Sequence, residues 1–129
     1  MTRGRPVSDL GEMLAGMRPD LDDRAFAFVV IEGDRPPPVD AFALVHEAEG
    51  RSAIVPAPDA DPRFARITLA VHSALEAVGL TAAVSGALAA KGIACNVVAG
   101  FHHDHLFVPW ERRVEALGIL DALSHDARR

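Results

Sequence analysis

The apolar positions of this chain fall into short blocks with two different spacings. Leu10, Met13, Leu14 and Met17 recur at i, i+3, i+4 and i+7, which stacks them on one stripe of a helix. Ser8 is the N-cap this pattern predicts, with Asp9 in the first turn, and Pro19 ends the helix at Arg18. Ala25 to Ile31 (AFAFVVI) is continuously apolar and β-branched toward its end, which predicts a buried strand. Residues 33–38 (GDRPPP) form a stiff polar connection. Phe42–Ala48 and Ser52–Val55 flank Glu49-Gly50 as the arms of a hairpin, and Pro56–Pro62 reads as a loop.

The second half has a cleaner pattern. Arg66–His72 is a predicted strand. Leu80–Lys91 is a helix burying Ala83, Val84, Ala87 and Leu88, and Gly92 occupies its left-handed C-terminal position. Ile93–Gly100 is a second strand, His102–Asp104 a polar turn, and His105–Val108 the returning strand. A last helix runs from Glu111 to about Ser124 with Val114, Leu117, Leu120 and Leu123 inward, and His125–Arg129 is a frayed tail. The order is β-α-β-β-α, one strand short of the ferredoxin-like βαββαβ unit, while the first half spells α-β-β-β. Each half has what the other lacks. The expectation is an α/β (α+β) fold of two halves, 1–62 and 63–129, sharing a mainly antiparallel sheet with helices on one face.

Composition narrows the function more than the fold. Half of the 129 residues are hydrophobic, enough for a core, and no run of eighteen apolar residues predicts a membrane span. The net charge of −5, without a Lys/Arg patch, argues against a nucleic-acid partner. The lone Cys95 excludes an internal disulfide and suits a reducing cytoplasm, and the charged start Met1–Pro6 has no apolar segment behind it. No nucleophile with its base and no phosphate loop is present, so no catalytic residue and no cofactor is assigned.

What remains is a corner. A strand, a loop ending in Gly79 and a helix starting at Leu80 place unpaired N–H groups, those near Leu80 and Thr81, at a sheet edge, where they suit a small anion. Residues 78–93 (VGLTAAVSGALAAKGI) resemble the ACT-domain pattern, in which one glycine starts the first helix and a second, followed by isoleucine, opens the next strand. The continuation 96–109 (NVVAGFHHDHLFVP) is similar to a bacterial subgroup of small two-ACT proteins, themselves similar to the ACT regions of aspartate kinases and to animal arginine sensors. The match is good over 66–124; residues 1–60 match in layout.

The resemblance implies a regulatory, amino-acid-binding protein without catalytic activity, a homodimer, with its effector near the Ser73–Thr81 loop. In place of the commoner Asp-x-x-Gly or Pro-Gly form, this loop has Glu76 and Val78 before Gly79. The expected site is Leu75, Glu76, Val78, Gly79, Leu80 and Thr81, with Asn96 nearby. Glu76 would receive an ammonium group while the helix N–H groups receive the carboxylate, which satisfies both charges of a zwitterion. Two other readings compete: a ligand-free dimerisation module, and a metal-dependent enzyme built on His102, His103, Asp104 and His105, with His46 or His72 as added ligands. A single strand supplies too few ligands for a stable site, so no metal is assigned, and Asp104 is expected to make an Asx-type turn bond.

Overall fold

The computed structural model describes residue 6 and residues 8–129; the charged start Met1–Arg5 lies outside them. Its helices are α1 (Leu10–Ala15), α2 (Leu80–Ala89) and α3 (Arg113–Ala127), and its strands are β1 (Pro19–Ile31), β2 (Ala43–Glu47), β3 (Gly50–Pro56), β4 (Phe64–Leu69), β5 (Asn96–Ala99) and β6 (Asp104–Pro109). Asp9, not Ser8, caps α1: its carboxylate accepts from Glu12 N at 2.9 Å. The helix closes on Gly16, before Pro19 is reached. The predicted hairpin forms between β2 and β3, and α2 ends through an Ile93 N to Leu88 O bond of 3.0 Å.

All six strands pair antiparallel in the order β2-β3-β1-β4-β6-β5. The strands that open the two halves, β1 and β4, are the central pair, so each half completes the other's sheet. The register sorts side chains onto two faces. Ile67 stands opposite Leu21 and Leu106, and Ala65 opposite Ala25 and Val108. On that face Met13, Met17, Leu80, Val84, Leu88, Ala116 and Leu120 pack against Ala65, Ile67, Leu69, Leu106 and Val108, burying all three helices' apolar sides together. The other face carries a second core of Phe26, Ile54 and Phe107, ringed by Phe42, Ala43, Phe64 and Val98. Ala43 belongs to one outer strand and Val98 to the other. In a flat sheet these strands would stand five spacings, about 24 Å, apart. The sheet is therefore curled around its aromatic face.

Three expectations need correction. The strand at 25–31 is not buried throughout: Phe28 is 47% exposed and Val30 72%. Val30 stands opposite Ser52, one pair beyond Ile54, where the aromatic cluster stops. In α3 the buried residues are Ala116, Leu120 and Ser124, and Val114 is 71% exposed. A constant spacing of three falls about 60° short of a turn at each step, so Val114 and Leu123 cannot share a face. The C-terminal tail is docked rather than frayed: Arg128 Nη1 donates to Ala15 O (3.1 Å) and Ser124 Oγ (2.9 Å).

Candidate functional site

The corner after β4 is built by local constraints. Ala70 N donates to Met17 O at 2.7 Å, fixing the strand end against the segment after α1. The chain then crosses 70–79 and enters α2 through Gly79 at φ 107°, a left-handed conformation that favours glycine. A Cβ there would also lie 3.2 Å from Leu10 Cδ2. Gly79 offers no side-chain cap, and the first helical bond runs from Ala83 N to Gly79 O at 2.8 Å. The N–H groups of Leu80, Thr81 and Ala82 therefore have no partner within the helix and carry its positive end.

Leu80 and Thr81 border a cavity of about 150 Å³, lined also by Ser73, Ala74, Leu75, Ala77, Gly79, Ala99, Gly100 and Asp104. Its far wall is the β5–β6 turn, closed by a Gly100 N to His103 O bond of 2.9 Å. A Cβ on Gly100 would sit 3.0 Å from that same carbonyl oxygen, so the turn needs glycine for close approach. Burial pushes the Asp104 carboxyl above its ordinary value, while the His103 charge opposes the shift.

The structure thus brings together Leu75, Gly79, Leu80 and Thr81. Glu76 and Val78 share their loop but are exposed and do not line the cavity. Asn96 is exposed at the opposite end of β5 and lines a different cavity, with Phe28 and Phe64. The acid that lines the cavity is Asp104, which the sequence reading gave to the turn and to the weighed histidine cluster. It begins β6 opposite Ala99, and the hydrogen bond that closes the turn is made by backbone rather than by an Asx contact. Its only sequence signal was its position next to the second strand's end, which matters only once β5 and β4 are known to be separated by β6.

Three of the histidines do meet. His72 and His102 rings lie 5.5 Å apart and His102 and His103 6.3 Å apart. Among the described residues no three His, Cys, Asp or Glu side chains are arranged to hold a metal ion. His105 instead pairs through Nδ1 with Thr68 Oγ1 at 2.9 Å. Its pKa is lowered first by burial, then by the charges of Arg66 and His103. Arg66 is held in the aromatic core, 4.6 Å over the Phe42 ring and 5.3 Å over Phe26, and pairs with Asp22 at 2.7 Å. Cys95 is half-buried against the helical core, and burial raises its thiol pKa, as suits a core residue.

A six-strand antiparallel sheet of two halves with helices on one face defines a tandem ferredoxin-like protein. Family comparison makes this specific: one ACT-domain profile matches residues 5–71 and a second matches residues 61–122. The chain belongs to the ACT-domain family and contains two such domains. It is similar to a protein of unknown function from Vibrio cholerae, described as a possible transport protein, at 36% identity over 84% of this chain and 91% of that one, with a TM-score of 0.72. It shares the fold of a protein from Agrobacterium tumefaciens (17% identity, 78% and 84% coverage, TM-score 0.62). The fold also matches the regulatory subunit of aspartate kinase from Thermus thermophilus (14% identity, 87% and 97% coverage, TM-score 0.58). No curated protein matches the chain significantly.

Proposed function

We propose that this protein is an amino-acid-binding regulatory module, without catalysis of its own, whose effector sits in the cavity at the start of α2. The observation that carries the reading is the pairing of an uncapped helix N-terminus with Asp104 across a cavity of about 150 Å³. The N–H groups of Leu80 and Thr81 suit an α-carboxylate, and Asp104 suits an α-ammonium. Asp104 takes the part that the sequence assigned to Glu76, which with Val78 forms the exposed rim. The cavity is below the usual range for drug-sized ligands, about 300 Å³ and upward, which favours a small amino acid. The ACT family, whose members are typically regulatory and bind amino acids, supports the same reading.

On this reading the protein works in the cytoplasm as a homodimer. Cys95 is free, and no described helix is long and apolar enough to cross a membrane. The outer strands β2 and β5 each leave one edge unpaired, which suits association through sheet edges. The boundary between the halves falls near residue 62, in the connection before β4. A thermal-shift screen across the twenty amino acids, repeated with Asp104→Asn, tests the proposal. One or more amino acids should raise the melting temperature of the native chain and fail with the variant. An effector acting equally on both proteins would remove Asp104 from the site.

A further inference from the structure

A second cavity, of about 450 Å³, lies elsewhere on the molecule and is lined by Ala27, Phe28, Val29, Ala60, Asp61, Pro62, Phe64 and Asn96. The register puts three of these side chains on the aromatic face of the sheet: Phe28 opposite Ile54, Phe64 opposite Phe26, and Asn96 opposite Phe107. The Phe28 and Phe64 rings meet edge to face at 5.3 Å. Phe28 also meets the Phe107 ring at 5.7 Å and remains 47% exposed. The curl of the sheet is what carries Asn96, from the outer strand β5, toward the rings of β1 and β4.

The third wall is the 57–63 connection, and it is held in place. Ala57 N donates to Ala25 O at 2.8 Å, Arg63 Nη1 to Pro58 O at 2.6 Å, and Trp110 N to Arg63 O at 3.1 Å. Asp61 is carried on this pinned loop and makes no ion pair with any described residue. The cavity is therefore bordered by two phenylalanines, an aspartate and an asparagine, on a frame held by these hydrogen bonds. Its volume is within the range of small-molecule sites, and a frame already ordered spares a ligand the entropy of ordering it.

We infer that this cavity is a second small-molecule site, separate from the one at α2, and that it takes a primary amine carrying an aromatic or similarly flat apolar body. The body packs on Phe28 and Phe64, the ammonium donates to Asp61, and Asn96 offers its carbonyl oxygen to the remaining donors. A carboxylate in place of the amine faces Asp61 with like charge. The acidic balance of the chain, −5, adds to the same preference.

The test is a titration of ¹⁵N-labelled full-length protein with 2-phenylethylamine and, separately, 3-phenylpropionate. The amine should give saturable amide shifts at Phe28, Ala60, Asp61 and Asn96, and the acid should not. Asp61→Asn, a substitution at an exposed loop position that leaves the spectrum dispersed, should weaken the amine about tenfold or more. Absence of saturable shifts at millimolar amine overturns the inference. So do equal responses to amine and acid, unchanged affinity in Asp61→Asn, or shifts confined to Gly79, Leu80 and Thr81. The last pattern would leave the α2 cavity as the binding site, so failure here is distinguishable from failure of the amino-acid reading.

Discussion

The two halves of this protein share a strand order but differ in how their sheets are covered. In the C-terminal half, α2 links β4 to β5 and α3 follows β6, and together with α1 they bury one face under aliphatic side chains. In the N-terminal half the equivalent links are irregular segments, 32–42 and 57–63, with no helix. That half gains its stability on the other face, from aromatic rings: Phe107 lies 5.7 Å from Phe26, 5.7 Å from Phe28 and 5.5 Å from Phe42, all edge to face. The difference has a functional consequence. Among the described residues a strand leads through a left-handed glycine into an uncapped helix start once, between β4 and α2, and that is where the proposed amino-acid site lies. The N-terminal half, whose one helix precedes its strands, has no such link, and its open face carries a cavity of another kind.

The largest expected effect probes the aromatic face. Phe107→Ala should cost about 3–5 kcal/mol in urea unfolding, because the side chain is fully buried and its removal leaves a hole between both sheet halves. Leu44→Ala, on the outer strand β2 and 40% exposed, should cost under about 1 kcal/mol. Equal costs would mean the curl is not held by the rings.

Next comes the ion pair beneath those rings. Asp22 is held well below the usual carboxylate range, first by its hydrogen bond from the Arg24 side chain, with the Arg66 charge adding. Asp22→Asn should cost about 2 kcal/mol at neutral pH, since it strands the Arg66 guanidinium among phenylalanines. A depressed folded-state pKa contributes stability above the unfolded value of about 4, and that contribution is lost as pH falls toward the folded value. The gap between native and variant proteins should therefore be full at pH 7 and shrink below pH 4. A gap that widens in acid contradicts the assignment.

A smaller effect tests the corner itself. Gly79→Val should cost about 1–2 kcal/mol, from the left-handed φ and the close Leu10 contact, and should abolish stabilisation by an amino acid. A variant that keeps the ligand response excludes Gly79 from the site. The smallest effect is a control on the helical half: Val114→Ala, at an exposed position, should change stability by no more than about 0.5 kcal/mol.

Much of the second half was legible in the sequence because its signals are local. The Val84 and Leu88 positions of the α2 stripe, the Gly92-Ile93 stop and the glycine at 79 each follow from neighbours a few residues away, and they carried the family resemblance too, whereas the burial of Leu80 was not read from the sequence. What escaped was set by distant partners. Nothing near Asp104 shows that the β5–β6 turn would face the α2 terminus, and nothing near Asn96 shows that the curl would bring it to Phe28. The N-cap at Asp9 rather than Ser8 shows a different limit: both residues can cap, and only the observed bond from Glu12 N to the Asp9 carboxylate tells them apart.

The most direct test is calorimetric titration of the native chain and Asp104→Asn with the amino acid that emerges from the screen, across pH 4–8. Burial raises the Asp104 pKa, and a bound ammonium favours the ionised carboxylate, so affinity should climb as pH rises through the Asp104 titration and then level off. At 100 times its dissociation constant the ligand should stabilise the native chain by about 2.7 kcal/mol and the variant far less. No amino acid binding at millimolar concentration, or an affinity flat in pH and unchanged by Asp104→Asn, would contradict the account and leave the protein as an interaction module.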